Sequence, residues 1–202
     1  MKPAAEVGAL LTMRPDAYYE GMKKLARQVR GHYGLVSPRV RFGELQEVYR
    51  DQGIQLTLWP GEVRNLRGAY FNDEVGVSVM VMKELPEDAR LFTMAHELKH
   101  HLVDAGLKPF SDWTFRQSSP IEAGANLFAA ELIYPEKDFQ CDLERLRGRT
   151  CDRPLDVLLC LKKKTRTTLP YRILRERAVS MGFARASAFV ASWWRELEEA
   201  NW

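Results

Sequence analysis

Two histidines four residues apart, with a glutamate beside the first, make His96-Glu97-Leu98-Lys99-His100 the stretch of this chain whose residue types and spacing specify a reaction. On a helix that separation brings both imidazoles to one face, where they can grip a single ion, and it leaves Glu97 offset toward a water on that ion. The chemistry is metal-assisted hydrolysis, with Glu97 as general base. An exposed, charged helix face would give the same five letters. Against it, the motif lies between Phe92, Met94, Ala95, Leu98, Leu102 and Val103, where two titratable rings are badly placed without a partner.

A catalytic zinc takes three protein ligands and a water, so a third ligand has to come from elsewhere. Glu122 is the candidate, 22 residues past His100, with Asn126 and Ile133 on roughly the same face of a second helix. The same glutamate also completes a capping box, Ser119-Pro-Ile-Glu122, in which it only returns a hydrogen bond to the cap. Spacing alone leaves both readings open. Asp104, four residues beyond His100, is placed to accept that ring's second proton or else to be a solvated residue near a helix end. Tyr70 is a weak candidate for stabilising a developing oxyanion. His101 and His32 have no partner at ligand spacing and read as surface or core histidines.

These residues need elements to hold them. Apolar positions at helical spacing after Pro15 predict an amphipathic helix that Gly34 can end, and a second helix is expected from about Phe42 to Asp51. Positions 54–82 alternate as strands, including Val75, Val77, Val79 and Val81, with a turn near 72–74; they predict a small, mainly antiparallel sheet whose edge could take substrate as an added strand. Pro86, Glu87 and Asp88 open a helix that carries the first motif to Gly106. After a polar loop over 108–118, Ser119 and Pro120 start the helix of Glu122, which Pro135 ends, and EKDFQCDLERLRG forms the next. Beyond Gly148 the chain reads as all-helical, ending in ASAFVASWWRELEEA. The expected organisation is α+β: a mostly helical domain over 1–148 and a helical region over 149–202.

The composition, 46% apolar and 28% charged, suits a globular chain with a real core. No apolar run approaches the roughly 18 residues of a membrane helix, and the opening segment lacks a basic stretch followed by a long apolar one. Cys141, Cys151 and Cys160 fit neither a disulfide framework nor a zinc knuckle. Together these predict a cytoplasmic protein with reduced thiols and no membrane partner. The net charge of +3 is unevenly spread, with seven basic residues and one acid between positions 162 and 177.

FTMAHELKHHLVD followed by EAGANLFAAELIYP resembles the ImmA/IrrE family of metallopeptidases, which shows an AHELGH helix and then a helix of the form E-x-x-A-N-x-F-A-A-x-L-x-x-P. The second pattern is met at Glu122, Ala125, Asn126, Phe128, Ala129, Ala130, Leu132 and Pro135, and looser similarity covers roughly positions 15–140. The resemblance implies a zincin-like domain, zinc on His96, His100 and Glu122, a catalytic Glu97, and a helix-turn-helix repressor as protein substrate, cleaved to switch on stress or mobile-element genes. The chain departs from the pattern at Lys99, where glycine is usual, at Asp104, where a histidine often follows, and at Ile133-Tyr134 in place of Leu-Met. Lys99 is the departure that bears on substrate preference.

A different class competes with the enzyme: a DNA-binding regulator, or a toxin-antitoxin-type module acting through protein contacts, with a vestigial or structural zinc site. Its basis is the helix-turn-helix-like tail, where Lys162, Lys163, Lys164, Arg166, Arg172, Arg175 and Arg177 could meet phosphates. The plainer account of the same charges is a solvated helical face packed on the first domain.

Overall fold

The computed structural model describes residues 14–60, 66–105, 119–147 and 153–189. Helix α1 (Pro15–His32) starts on its proline with Asp16 in the first turn and buries Tyr18, Met22, Ala26 and Val29 along one face. It ends before Gly34, whose φ of +63° suits glycine. Helix α2 (Phe42–Asp51) has the predicted bounds, with the Glu44 carboxylate accepting from the backbone N–H of Arg41 at 2.6 Å. Both helices are amphipathic, as their periodicity required.

Strands β1 (Gln55–Trp59), β2 (Gly68–Asp73) and β3 (Gly76–Met82) form one sheet in the order β1-β3-β2. The β2–β3 hairpin is antiparallel, pairing Gly68 with Val81 and Asp73 with Gly76, whereas β1 runs parallel to β3 from Gln55–Ser78 to Trp59–Met82. The sheet is therefore mixed. β2 is the antiparallel neighbour of β3 on the side away from β1. The valine alternation begins one residue pair later than the sequence suggested. Val79 and Val81 are fully buried, but Val75 is 97% exposed in the hairpin turn, where the Asp73 carboxylate accepts from its N–H at 2.9 Å.

Helix α3 (Glu87–Lys99) crosses beneath the sheet with Leu91, Met94, Ala95 and Leu98 fully buried. The turn that follows, His100–Asp104, widens to π-helical geometry. Helix α4 (Pro120–Ile133) packs against both α3 and α1. A Cβ at Gly124 would come within 2.6 Å of the Tyr18 ring, so only a glycine allows α1 to approach this closely. Arg30 of α1 closes the other end, donating to the carbonyls of Leu132 and Ile133 at 2.6 and 3.1 Å.

Helices α5 (Glu136–Leu146), α6 (Pro154–Thr165) and α7 (Tyr171–Ser180) follow, then a short 3-10 turn at Ala186–Ala188. The rest of the predicted final helix, the 108–118 loop and Cys151 lie outside the described residues. Residues 153–189 share the core of the preceding elements: Leu158, Leu161, Leu169 and Leu174 join its apolar cluster, and the Thr168 hydroxyl donates to Val40 O at 3.0 Å. The architecture is α+β.

Two of the seven basic residues considered for phosphate contact are internal. Lys162 is 5% exposed and donates to Asp88 and to Leu169 O; Arg177 is 8% exposed, donates to Tyr134 O and lies 3.5 Å from Glu131. Burial of their helix faces, with carboxylates and carbonyls opposite, directs them inward. Lys163, Lys164, Arg166 and Arg172 are exposed and Arg175 is half-buried.

Candidate metal centre

The i, i+4 spacing on α3 places the His96 and His100 rings side by side, with their Nε2 atoms 3.2 Å apart. Glu122, in the first turn of α4, meets them from the neighbouring helix. Its Oε2 is 3.1 Å from His96 Nε2 and its Oε1 is 3.4 Å from His100 Nε2. Ser119 does cap α4, accepting from the Glu122 N–H at 3.3 Å. The carboxylate itself turns to the histidines, so the backbone half of the capping box forms while the side chain points to the cluster.

Both rings are held from behind. The Asp104 carboxylate, an acceptor only, takes the Nδ1–H of His100 at 2.6 Å, and Asn126 Oδ1 lies 3.1 Å from His96 Nδ1. With Nδ1 protonated in each ring, both Nε2 lone pairs face Glu122. Two lone pairs and a carboxylate at these separations repel unless a proton or a metal cation lies among them. Donors held about 2.0–2.2 Å from a tetrahedral zinc would lie roughly 3.3–3.6 Å apart, within a few tenths of an ångström of the three separations found. The donor set fits a small divalent ion, and the three donor atoms all lie within 4.8 Å of one another.

The charges are arranged accordingly. Burial alone would lower the His96 pKa, but the hydrogen bond to Glu122 and the charges of Glu97 and Glu122 raise it above its ordinary value. Burial pushes Glu122 up, yet His96 through its hydrogen bond and charge, with His100 and Lys99, holds it below the usual carboxylate range.

Glu97 is buried on the sheet side of α3, where β2 passes over it. A Cβ at Gly68 would lie 2.3 Å from the Thr93 methyl and 3.0 Å from Glu97 Oε1, so the strand can approach the helix only because position 68 has no side chain. A glycine inside a strand pattern signals such an approach, and that signal was available in the sequence. Farther along the same face, Tyr70 OH lies 3.3 Å from His101 Nδ1 and Asn72 Nδ2 donates to Ala105 O at 3.1 Å. Thus β2 lies along the whole length of the motif, and Tyr70 is engaged with His101, whose pKa burial lowers. His32 is exposed, on α1, with its ring edge on Tyr33. Ile133 is fully buried and belongs to the core, whereas Asn126 belongs to the site.

Lys99 does not face the cleft. Its side chain is completely buried, with Nζ 2.7 Å from Asp104 Oδ2 and 3.0 Å from Ile121 O, and burial lowers its pKa while Asp104 and Glu122 oppose that shift. The IrrE N-terminal-like domain family matches residues 50–152, just over half of the chain, which spans the sheet, the motif helix and α4. The chain belongs to that family of peptidases. The match begins later than position 15, where the sequence resemblance was drawn, so α1 lies outside it. No curated protein matches the sequence. An IrrE-like peptidase acts on protein substrates, and in this one His96, His100 and Glu122 form a group that could hold a metal ion. Among the described residues of this IrrE-like chain, no helix is long and apolar enough to cross a membrane.

Proposed function

We propose that this protein is a zinc-dependent endopeptidase of the cytoplasm that cleaves a helix-turn-helix transcriptional repressor, and so derepresses stress-response or mobile-element genes. The observation that carries the enzymatic part is the convergence of His96, His100 and Glu122 at 3.1–3.4 Å, with both histidines backed by acceptors, in a chain of a peptidase family. His96, His100 and Glu122 are the zinc ligands in this reading. An ion held there would supply a Lewis acid to polarise the scissile carbonyl and lower the pKa of water toward about 7.

Glu97 accepts the proton of the attacking water and returns it to the amide nitrogen as the carbon–nitrogen bond breaks, leaving a new carboxyl group and a new amine that settle as carboxylate and ammonium. Asp104 and Asn126 keep the two rings in one tautomer. The outer edge of β2 can take an extended segment of substrate as an added strand, beside the buried Glu97. The repressor as substrate is supported by the ImmA/IrrE resemblance. The exposed Lys163, Lys164, Arg166 and Arg172 give a docking surface for an acidic partner or for DNA carrying the repressor, smaller than the sequence suggested because Lys162 and Arg177 are internal.

The test is incubation of zinc-loaded protein with the repressor encoded beside it and, separately, with casein. Cleavage of the repressor at few sites with casein spared is expected. Efficient casein hydrolysis with an untouched repressor would refute the reading.

A further inference from the structure

Lysine is among the residues least often buried without a partner, and Lys99 is buried completely within the motif, where the resembling family has glycine. A charge at such a depth persists only when fixed partners surround it. Its partners belong to both halves of the metal site. One is Asp104 Oδ2, the same oxygen that accepts from His100 Nδ1, so a single carboxylate atom joins Lys99 at 2.7 Å to His100 at 2.6 Å. Another is the carbonyl of Ile121, the residue before Glu122, at 3.0 Å. The third is the Tyr18 ring of α1, whose centroid is 5.7 Å from the ammonium.

The backbone is shaped for this arrangement. In an α-helix residue i+4 overlies residue i and residue i+5 has rotated away, whereas the wider π turn brings i+5 round as well. Asp104 is i+4 from His100 and i+5 from Lys99, and the π-helical turn covers His100–Asp104. It lets one carboxylate serve both side chains.

Resting on the zinc reading above, we propose that Lys99 is a positioning residue of the metal centre: it fixes the Asp104 carboxylate that orients His100 and ties the His helix to the turn of α4 that presents Glu122. It does not select substrate. Groups that orient metal ligands in this way typically change affinity about 10–100-fold when removed.

The experiment measures zinc dissociation constants by chelator competition, and visible spectra after cobalt substitution, for the full chain and for Lys99→Met, with circular dichroism as the check on folding. Tyr134→Phe is the control: it removes a part-buried hydrogen bond to Asp142 of α5 just past the C-terminal end of α4, and so costs stability without touching the cluster. The expected result is a 10–100-fold weaker zinc affinity and a shifted cobalt spectrum for Lys99→Met, with neither change in Tyr134→Phe. Zinc affinity within twofold of the parent and an unchanged spectrum in folded Lys99→Met would overturn the proposal. If Lys99→Met does not fold, Lys99→Leu, which likewise removes the donor to Asp104, takes its place: weakening in the same direction supports the proposal, and parental affinity overturns it. A parent chain that binds no zinc would overturn the zinc reading and this proposal together, whereas loss confined to the variant spares the former.

Discussion

Gly68 of β2 lies directly over Glu97 of α3, and a Cβ added there would stand 3.0 Å from the Glu97 carboxylate and 2.3 Å from the Thr93 methyl. The strand edge that would receive substrate and the glutamate that would move the proton are thus held at a fixed, minimal spacing.

Gly68→Ala is therefore expected to damage catalysis more than metal binding. Thr93 is β-branched on a helix, with its hydroxyl bonded to Ala89 O at 2.8 Å, so its methyl cannot rotate away cheaply. Overpacking of this kind costs about 1–3 kcal/mol of stability. Zinc content should stay near one per chain while kcat falls, and Thr93→Ser, which deletes the methyl, should restore part of the loss. A Gly68→Ala enzyme with parental kcat would show that the close approach has no catalytic role.

Glu97→Gln keeps the shape of the side chain and leaves His96, His100 and Glu122 untouched. It should retain the fold and the zinc and lose proteolysis, because the amide cannot accept the proton of the attacking water. Undiminished cleavage would remove Glu97 from the mechanism.

Ser119 and Glu122 separate two roles that one sequence pattern allowed. Ser119→Ala removes the acceptor of the Glu122 N–H and should cost on the order of 1 kcal/mol of stability with zinc affinity preserved. Glu122→Ala should do the reverse, weakening zinc sharply. Equal zinc affinity in Glu122→Ala and the parent would return this glutamate to a capping role.

The helices around the site were legible because their signals are local: the α1 periodicity, the bounds of α2, and the Ser119-Pro120 start of α4 depend on neighbours in sequence. The i, i+4 histidines are of the same kind. Spacing nominated Glu122 but left its capping role equally open, and only the longer family pattern chose between them, because its meeting with His96 is a tertiary contact across 26 residues. The inward course of Lys99, Lys162 and Arg177 was not legible at all. A basic letter carries no mark of whether a carboxylate waits for it 74 residues away, as Asp88 does for Lys162. The parallel pairing of β1 with β3 was missed for the same reason, since alternation fixes which face is buried and says nothing of strand direction.

Removing the metal should lower stability without unfolding the chain. The cluster borders a core of Leu91, Met94, Leu98, Phe128 and Ala129 that packs without it. A ligand at a hundred times its dissociation constant adds about 2.7 kcal/mol, which for a chain of this size raises Tm by roughly 5–10 °C. Chelated protein should keep its helical circular dichroism and melt earlier, with Tm recovering as zinc is added. A chelated chain that is unfolded at 25 °C would instead make the site a structural one.

The basic residues of α6 divide by burial, and stability measurements can separate them. Lys162 donates to Asp88, a fully buried carboxylate in the first turn of the motif helix, and its ammonium lies 4.4 Å from the centre of the Tyr171 ring. Lys162→Met leaves that carboxylate uncompensated, which costs about 3–5 kcal/mol. Lys163→Gln and Lys164→Gln, both at exposed positions, should each stay within about 0.5 kcal/mol of the parent. The pH dependence supplies an independent sign. Burial already holds the Asp88 carboxyl above its ordinary value, with Lys162 opposing, and loss of the ammonium raises it further. A group whose folded pKa is raised contributes stability at low pH that is lost as pH rises through the folded value. The deficit of Lys162→Met relative to the parent should therefore shrink as pH falls toward about 4, the ordinary aspartate range. Denaturant unfolding at several pH values reads this directly. A Lys162→Met variant as stable as the parent at neutral pH, yet deficient in binding DNA, would place Lys162 on a phosphate-contacting surface after all.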